Sequence, residues 1–551
     1  MKDINFKHLG FILIILFVEL SAQTVYQPVY SDIYIFLERL FIKGVIEYHS
    51  EVKPIPRKEI AGYLIEAQSN YDKLTEIDKK EIEFYLKEFA DEVSFIDDKA
   101  EQKLPRTEFF TSGENERFRL FNYRDSIFTF NLDPILGIKI GNEWETGYSQ
   151  RWNGLEMFGY VSENWGYALD FRDNLEQSDN LDETKINVPA AGIIISKQAE
   201  NSIQYSRVNA QLNFGWSTGN ISFGKYAVNI GSGRAGQIIN SSKAPTYPLL
   251  RLDFRPAHWL NFIYFHGFLK SNIPDSSTYR YTSVEGRESI TDIPKYIASH
   301  MLSFYIGKDL TFSLGESIVY SEQIEPIYLI PVMFFRLADH YLSNQGSNSG
   351  DNAQLFADAS YRIRQIRSKV YGSVFIDELS IEKVLEGENL SSIGYTIGTE
   401  ISDIIIPNSG IVVEYTRIQP FVYTNSNDAE TYKSSTYQLG HWIGSNSDMI
   451  YLSYRQNILR GLWLKLSGWY FRKGQTELPE EQYQLPYPST LYGARRNDRR
   501  ISLEISWQPV HNLFAKGYYN YSNISDEEEG RTPDFMIGTF NNFGFAVYYG
   551  L

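Results

Sequence analysis

The chain has 551 residues, of which 43% are hydrophobic and 15% aromatic, with 40 tyrosines, no cysteine and a net charge of −16. Lacking cysteine, it has no disulfide, thiolate metal site, cysteine nucleophile or lipidated N-terminal cysteine. So acidic a chain is a poor general nucleic-acid binder, and no nucleic-acid partner is expected.

Residues 1–22 have the pattern of a secretory signal peptide. Lys2 and Lys7 supply positive charge, Leu9 to Val18 is a short apolar core, and Ser21-Ala22 offers small residues for cleavage. The run is too short for a typical transmembrane helix. Residues 23–105 read as a small bundle of about three helices. Ile33, Phe36, Leu37 and Leu40 fall at helical spacing before Gly44, and "PIPRKEIAGYLIEAQ" carries Ile60, Leu64 and Ala67 on one face. Thr75 is placed to cap a third helix through Ile82, Tyr85, Leu86 and Phe89. "YIFLERLFIKGVI" with "KPIPRKEIAGYL" resembles, over a short stretch, an S-layer-homology half-module, a binder of wall polysaccharide; a plain amphipathic helical cap is the alternative.

From about residue 106 to residue 551 the period changes to two. In "RISLEISWQP", Ile501, Leu503, Ile505 and Trp507 alternate with Ser502, Glu504, Ser506 and Gln508, so the strand has one oily and one wet face. "MLSFYI" and "LTFSLGESIVY" flank the short turn at Gly307-Lys308-Asp309, and further short turns fall near Gln365, at Pro407–Gly410, Asn457–Gly461 and Pro509–Asn512. Between them lie long polar segments at 323–352, 377–392, 420–446, 472–498 and 522–534. Short turns on one rim and long loops on the other are the signature of a transmembrane β-barrel. Strands of roughly ten residues match a tilted bilayer crossing better than a β-sandwich, and no blade-length repeat points to a propeller. Trp144, Trp152, Trp165, Trp259, Trp463 and Trp469 recur near strand ends, as interfacial girdles require. The expected fold is mainly β: a closed antiparallel transmembrane β-barrel of about 18 strands with a small N-terminal helical bundle, closed because lipid tolerates no open sheet edge.

Three motifs suggest chemistry that their surroundings do not support. "GSGRAG" at 231–236 matches a dinucleotide fingerprint, but "QIINSSKAPTYP" follows it rather than a helix. "GWSTG" at 215–219 matches a nucleophile elbow, but Ser217 lies in a hairpin turn between two strand patterns. The eight histidines, His258 and His266 included, never stand at metal-ligand spacing. The acidic run Asp526–Glu529 reads most simply as a solvated loop. No enzyme activity, cofactor or metal is expected.

"FGKYAVNIGSGRAGQIINSSKAPTYPLLRL", "GDNAQLFADASYRI" and "YTRIQPFVY" with "YQLGHWIGSNSDMIYLSYR" are similar to the signatures of the capsule-assembly Wzi family. The resemblance implies an outer-membrane barrel of about 18 strands over residues 106–551, a periplasmic helical bundle beneath it, and a lectin-like role holding capsular or extracellular polysaccharide at the cell surface. The N-terminal segment is longer and differently patterned than that family's. Gly231, Gly233, Arg234, Asp351, Asn352 and Asp358 match the family patterns, with structural roles expected in tight turns and lumen hydrogen bonds. Outer loops at 270–298, 323–352, 420–446 and 472–498 are candidate sugar-binding surfaces. Aromatic faces stack on pyranose C–H surfaces, while amides, carboxylates and guanidiniums bond hydroxyls and acidic groups. The last loop brings Tyr483, Tyr487, Tyr492, Arg495 and Arg496 into one stretch, placed either to meet a glycan or to pack the loop onto the barrel mouth. Expected partners are the polysaccharide, outer-membrane lipid and, during insertion, the barrel-assembly machinery. An outer-membrane pore or transport channel is the alternative; an outer-membrane hydrolase would need His441 or His340 beside a nucleophile or acid.

Overall fold

A computed structural model describes residues 24–96, 105–111, 117–282, 288–344, 351–378, 392–404, 406–482, 484 and 486–550. The proposed signal peptide lies outside these residues.

Eighteen antiparallel strands close into a barrel. In chain order they are β1 (Phe128–Glu143), β2 (Thr146–Val161), β3 (Trp165–Gln177), β4 (Ser202–Trp216), β5 (Gly219–Lys225), β6 (Pro248–Ala257), β7 (Leu260–Tyr281), β8 (Glu288–Ile306) and β9 (Leu310–Ser321). They continue as β10 (Asn352–Ile363), β11 (Ser368–Glu378), β12 (Ser392–Ser402), β13 (Ser409–Ile418), β14 (Ser447–Leu459), β15 (Leu462–Lys473), β16 (Arg496–Trp507), β17 (Leu513–Asp526) and β18 (Gly538–Tyr549). Strand β18 closes on β1 with Phe545 opposite Ile140. The ring starts at Phe128, later than the change of period near residue 106. Arg106–Thr111 and Arg119–Arg124 instead form a hairpin along the first half of β1, with Phe121 opposite Leu132. β18 occupies the same edge of β1 from Leu136 onward, so one strand edge is shared lengthwise.

The barrel is inside-out relative to a water-soluble protein. Ile501, Leu503, Ile505 and Trp507 all point outward and are 37–54% exposed, whereas Ser506, two residues from Glu504 on the inner face, is buried. The outward stripe repeats around the wall through Leu136, Ile138 and Ile140, Phe312 and Leu314, Ile450 and Leu452, and Phe543, Phe545 and Val547. Apolar residues left bare in this register are stable only against hydrocarbon. The tryptophan girdle is thinner than its sequence spacing suggests. Trp165 and Trp259 are exposed near short turns, but Trp144 and Trp463 are buried. Trp152 packs against Tyr548 inside the barrel, and Trp469 against the lumen residue Trp442. Strand-end position alone does not say which face a ring takes; parity decides it.

Among the described residues 24–96 there are four helices where about three were expected: α1 (Ile33–Ile42), α2 (Arg57–Ser69), α3 (Glu76–Glu88) and α4 (Ala90–Ile96). The third predicted helix breaks at Phe89, whose backbone leaves helical values. Thr75 caps α3 in a capping box with Asp78. Ile33, Leu37, Leu40, Ile60, Leu64, Ile82 and Phe89 form one buried core, each apolar side chain stabilising the bundle by about 1.5–3 kcal/mol. The bundle docks on the short-turn rim. Lys43 pairs with Asp403 at 2.8 Å, Glu81 accepts from the Gly461 amide at 2.6 Å, and Phe84 stacks on His511 at 3.7 Å.

Candidate functional site

After β5 the chain does not stay on the rim but turns into the barrel. Gly231, at φ +111°, makes the turn and donates its amide to Glu51 at 2.8 Å. A Cβ at Gly233 would run into the Gly236 carbonyl. The wall holds this segment with carboxylates. Asp358 on β10 accepts from the Ser232 amide (2.9 Å), the Ser232 hydroxyl (2.8 Å) and the Ser373 hydroxyl (2.6 Å). Glu414 on β13 accepts from the amides of Arg234 (2.6 Å) and Ala235 (3.0 Å) and from the Tyr371 hydroxyl (2.7 Å). The Arg234 guanidinium joins Glu400 of β12 (2.8 Å) to Glu38 of α1 (2.7 Å), and Glu38 also meets Lys369 of β11 at 2.7 Å. One cation therefore ties inner loop, wall and bundle together. Ile230 pairs with Val52, adding a backbone link.

The long loop 419–446 folds inward onto the same segment. Tyr432 donates to the Ile239 carbonyl at 2.9 Å, and Trp442 Nε1 to the Ala235 carbonyl at 2.8 Å. Tyr423, Tyr432, Leu439 and Ile443 join Leu249, Phe265, Ile297, Val319, Phe356 and Phe375 in a hydrophobic core inside the lumen. The candidate sugar-binding loop 420–446 is thus mostly buried, because its aromatic residues find the plug rather than water. Within it Glu430 accepts from Ser321 (2.9 Å) and Asn427 (2.8 Å), while burial pushes its carboxyl up to about 7. His441 is fully buried beside Gly236, its protonation suppressed by burial to about 3.

The other candidate loops also differ from expectation. Most of 270–298 is strand: β7 and β8 form a long paired arm with Pro274 opposite Asp292 and Arg280 opposite Ser289. Segment 323–352 carries a short 3₁₀ turn and helix α5 (Phe335–Asn344), and Asp351 accepts from Tyr328 at 2.6 Å. Asn352 donates to the Glu430 carbonyl at 2.8 Å. "GWSTG" is the β4–β5 hairpin turn, and no helix follows "GSGRAG".

Of the proposed contact residues, Tyr483 lies outside the described residues. Tyr487 packs against Phe421 with the rings tilted and their centroids 5.6 Å apart, and its hydroxyl meets Ser392 (2.7 Å) and the Pro420 carbonyl (2.9 Å). Tyr492 is half-buried, with burial pushing its hydroxyl up to about 12. Arg495 is exposed, its amide donating to Glu527 at 2.9 Å. Arg496 is fully buried at the start of β16, bonded to Thr532 and to Asp498 at 3.1 Å; its side chain faces the lumen, while its neighbour Arg495 faces water. Sequence reasoning missed Arg472 and Arg499, whose guanidiniums lie over the Tyr470 ring at 5.7 and 5.1 Å at the long-loop end of the wall. Their signal was the outward parity of Tyr470, Arg472 and Arg499 on paired strands.

The opposite side of the lumen is looser. Lys139 and Glu143 of β1, 2.8 Å apart, and Lys516 and Glu504 of β17 and β16, 3.7 Å apart, face inward yet retain 21–34% side-chain exposure. An open pocket of 1090 Å³ lies at the long-loop end between β1, β2, β17 and β18, lined by the inward Tyr148 and Tyr518 and also by the outward Ile140, Phe543 and Phe545. A second, of 310 Å³, lies against the bundle beside Arg39, Arg234, Arg455, Trp463 and Lys465. Among the described residues no group of three His, Asp or Glu side chains is placed to hold a metal.

These features define a plugged β-barrel of the outer-membrane type. No protein-family model and no curated protein sequence matches the chain. Its fold is similar to the solved structure of Wzi from Escherichia coli, described as an outer membrane protein involved in group 1 capsule assembly and a carbohydrate-binding β-barrel. Identity is 12% and the TM-score 0.58, with 96% of this chain and 100% of that chain covered. Pseudomonas aeruginosa OprD is 13% identical with a TM-score of 0.40, covering 76% of this chain and 94% of its own. Acinetobacter baumannii OccAB2 is 10% identical with a TM-score of 0.43, covering 77% and 99%. At 12% identity the likeness to the Wzi structure shows the fold alone: a closed barrel of 18 antiparallel strands.

Proposed function

We propose that this protein binds or anchors capsular or extracellular polysaccharide at the cell surface and catalyses no reaction. The occupied lumen carries the reading. Loops 226–247 and 419–446 fill the half of the bore that faces β6–β13, and the helical bundle sits on the short-turn rim, which suits a rigid platform better than an open pore. The similarity in fold to a barrel described as carbohydrate-binding supports it too. The contact surface is the long-loop rim, where Tyr487, Tyr492 and Arg495, with the Tyr470, Arg472 and Arg499 collar, offer stacking faces and cations to an acidic glycan. Gly231, Gly233, Arg234, Asp351, Asn352 and Asp358 act in holding the plug and the loops. Export through residues 1–22, insertion by the barrel-assembly machinery and a periplasmic bundle complete the proposal; the bundle's docking on the short turns supports the last.

The test is deletion of the protein followed by staining of cell-attached and shed polysaccharide. Attached polysaccharide is expected to fall and shed material to rise, with the Tyr487→Ala, Tyr492→Ala, Arg495→Ala triple variant showing the same direction; unchanged attachment on deletion refutes the anchor. A narrow conduit along β1–β3 and β15–β18 is the second reading, favoured by the partly exposed Lys139, Glu143, Glu504 and Lys516. Planar-bilayer conductance separates the two: steady single-channel steps belong to the conduit.

A further inference from the structure

A second hydrophobic cluster lies on the outside of the wall. Across β6 to β9 the register runs Leu250–His266–Ala298–Ile318 on one face and Leu249–Gly267–Ile297–Val319 on the other. The second row joins the lumen core. The first row shares its parity with the bare outward residues Phe254, Phe268, Leu302 and Leu314. Yet Tyr264, Ala298, Ile318 and Tyr320 are buried, because segment 322–344 folds back over them. The covered patch is polar in places. His300 Nε2 lies 3.1 Å from Glu316, which also accepts the Phe335 amide at 2.6 Å, and His266 meets the Tyr320 hydroxyl at 2.7 Å. Left bare, Glu316 and His300 would face hydrocarbon, where charge is costly.

Helix α5 divides into three stripes at 100° per residue. Phe335, Ala338 and Leu342 pack on the wall. Arg336, Asp339, His340 and Ser343 form a polar stripe. Phe334, Leu337 and Tyr341 form a third stripe, 50–66% exposed, continued by Val332 at 80%. An exposed apolar stripe flanked by a packed face and a polar face is the pattern of a helix lying in a membrane interface. The helix is anchored at Glu316, one outward position along β9 from the lipid-facing Leu314, with Phe312 beyond it.

We propose that residues 322–344 form an external clasp lying flat in the leaflet on the long-loop side, with Val332, Phe334, Leu337 and Tyr341 against lipid acyl chains and Arg336 and His340 at the headgroups. The clasp shields the His300–Glu316 pair from lipid and is independent of the glycan reading.

The chain has no cysteine, so single spin labels are clean probes. Leu337→Cys and Val332→Cys, labelled on the full chain in phosphatidylcholine vesicles, are compared with Leu314→Cys as the lipid-facing standard and Tyr281→Cys as the aqueous one. Collision with oxygen and with a water-soluble nickel chelate is read. Both clasp labels are expected to match Leu314, several-fold richer in oxygen than in nickel collisions. Ratios matching Tyr281 overturn the proposal, as does spin–spin broadening that disappears on dilution with unlabelled chain, which would mean that a second copy covers the stripe. Val332 lies outside the helix, so its label reports even where a change in α5 disturbs folding.

Discussion

The two sides of the lumen use the same strand architecture and differ in what fills it. Facing β6–β13, inward residues such as Phe265, Ile297, Asp358, Ser373 and Glu414 are all buried, each apolar one against the plug and each acidic one with several donors. Facing β1–β3 and β15–β18, Lys139, Glu143, Glu504 and Lys516 form looser, partly exposed pairs, while nearer the bundle Asp133 and Tyr160 are buried. Buried charge must be fully bonded, whereas charge in contact with water need not be. The packed side thus supplies rigidity, and the looser side is where any passage through the bore would run.

The sharpest way to break this contrast is Arg234→Ala. It strands the Glu38 and Glu400 carboxylates, and loss of one partner of a buried network costs about 3–5 kcal/mol. The expected result is a lower melting temperature of the barrel by circular dichroism and a rise in bilayer conductance; an unchanged melt removes Arg234 as the tie between plug and bundle. Next comes Gly233→Ala, where the new methyl meets backbone and costs about 1–3 kcal/mol. Its checks are the same melt and increased proteolysis within 226–247.

Glu430 adds a pH test on the packed side. Its folded value is raised by burial, so its contribution to stability is fully present below about 4.5 and is lost as pH rises through about 7. The melting temperature is expected to fall across that window, and Glu430→Gln to flatten the fall. The smallest effect belongs to the looser side: Lys516→Ala, removing a long and partly exposed pair, changes stability by about 0.5 kcal/mol or less. A loss comparable to that of Arg234→Ala would mean that the two sides are equally packed.

Much of the barrel was legible from alternation alone, because lipid outside and a polar interior impose opposite chemistry on successive residues. Ile501, Leu503 and Ile505 were assigned together to the oily face, and all three point outward. The short turns at 307–309 and 508–512 fall where Gly and Pro mark them. The destinations of the long loops were not legible. Tyrosines at 423, 432 and 437 have the same composition as a sugar-binding surface but are buried in the lumen. Arg495 and Arg496 are neighbours in sequence and opposites in exposure, since one residue along a strand reverses the face.

The sequence by itself determined that this chain must close a wall of alternating strands between short turns and long loops, because period-two hydrophobicity has no other stable outcome in a bilayer. Only the tertiary structure decided which loops enter the bore, which cross the rim and which lie back on the outer wall. Those choices rest on contacts between residues far apart in the chain, such as Arg234 with Glu38 and Glu400, or Phe335 with Glu316, which no local pattern encodes.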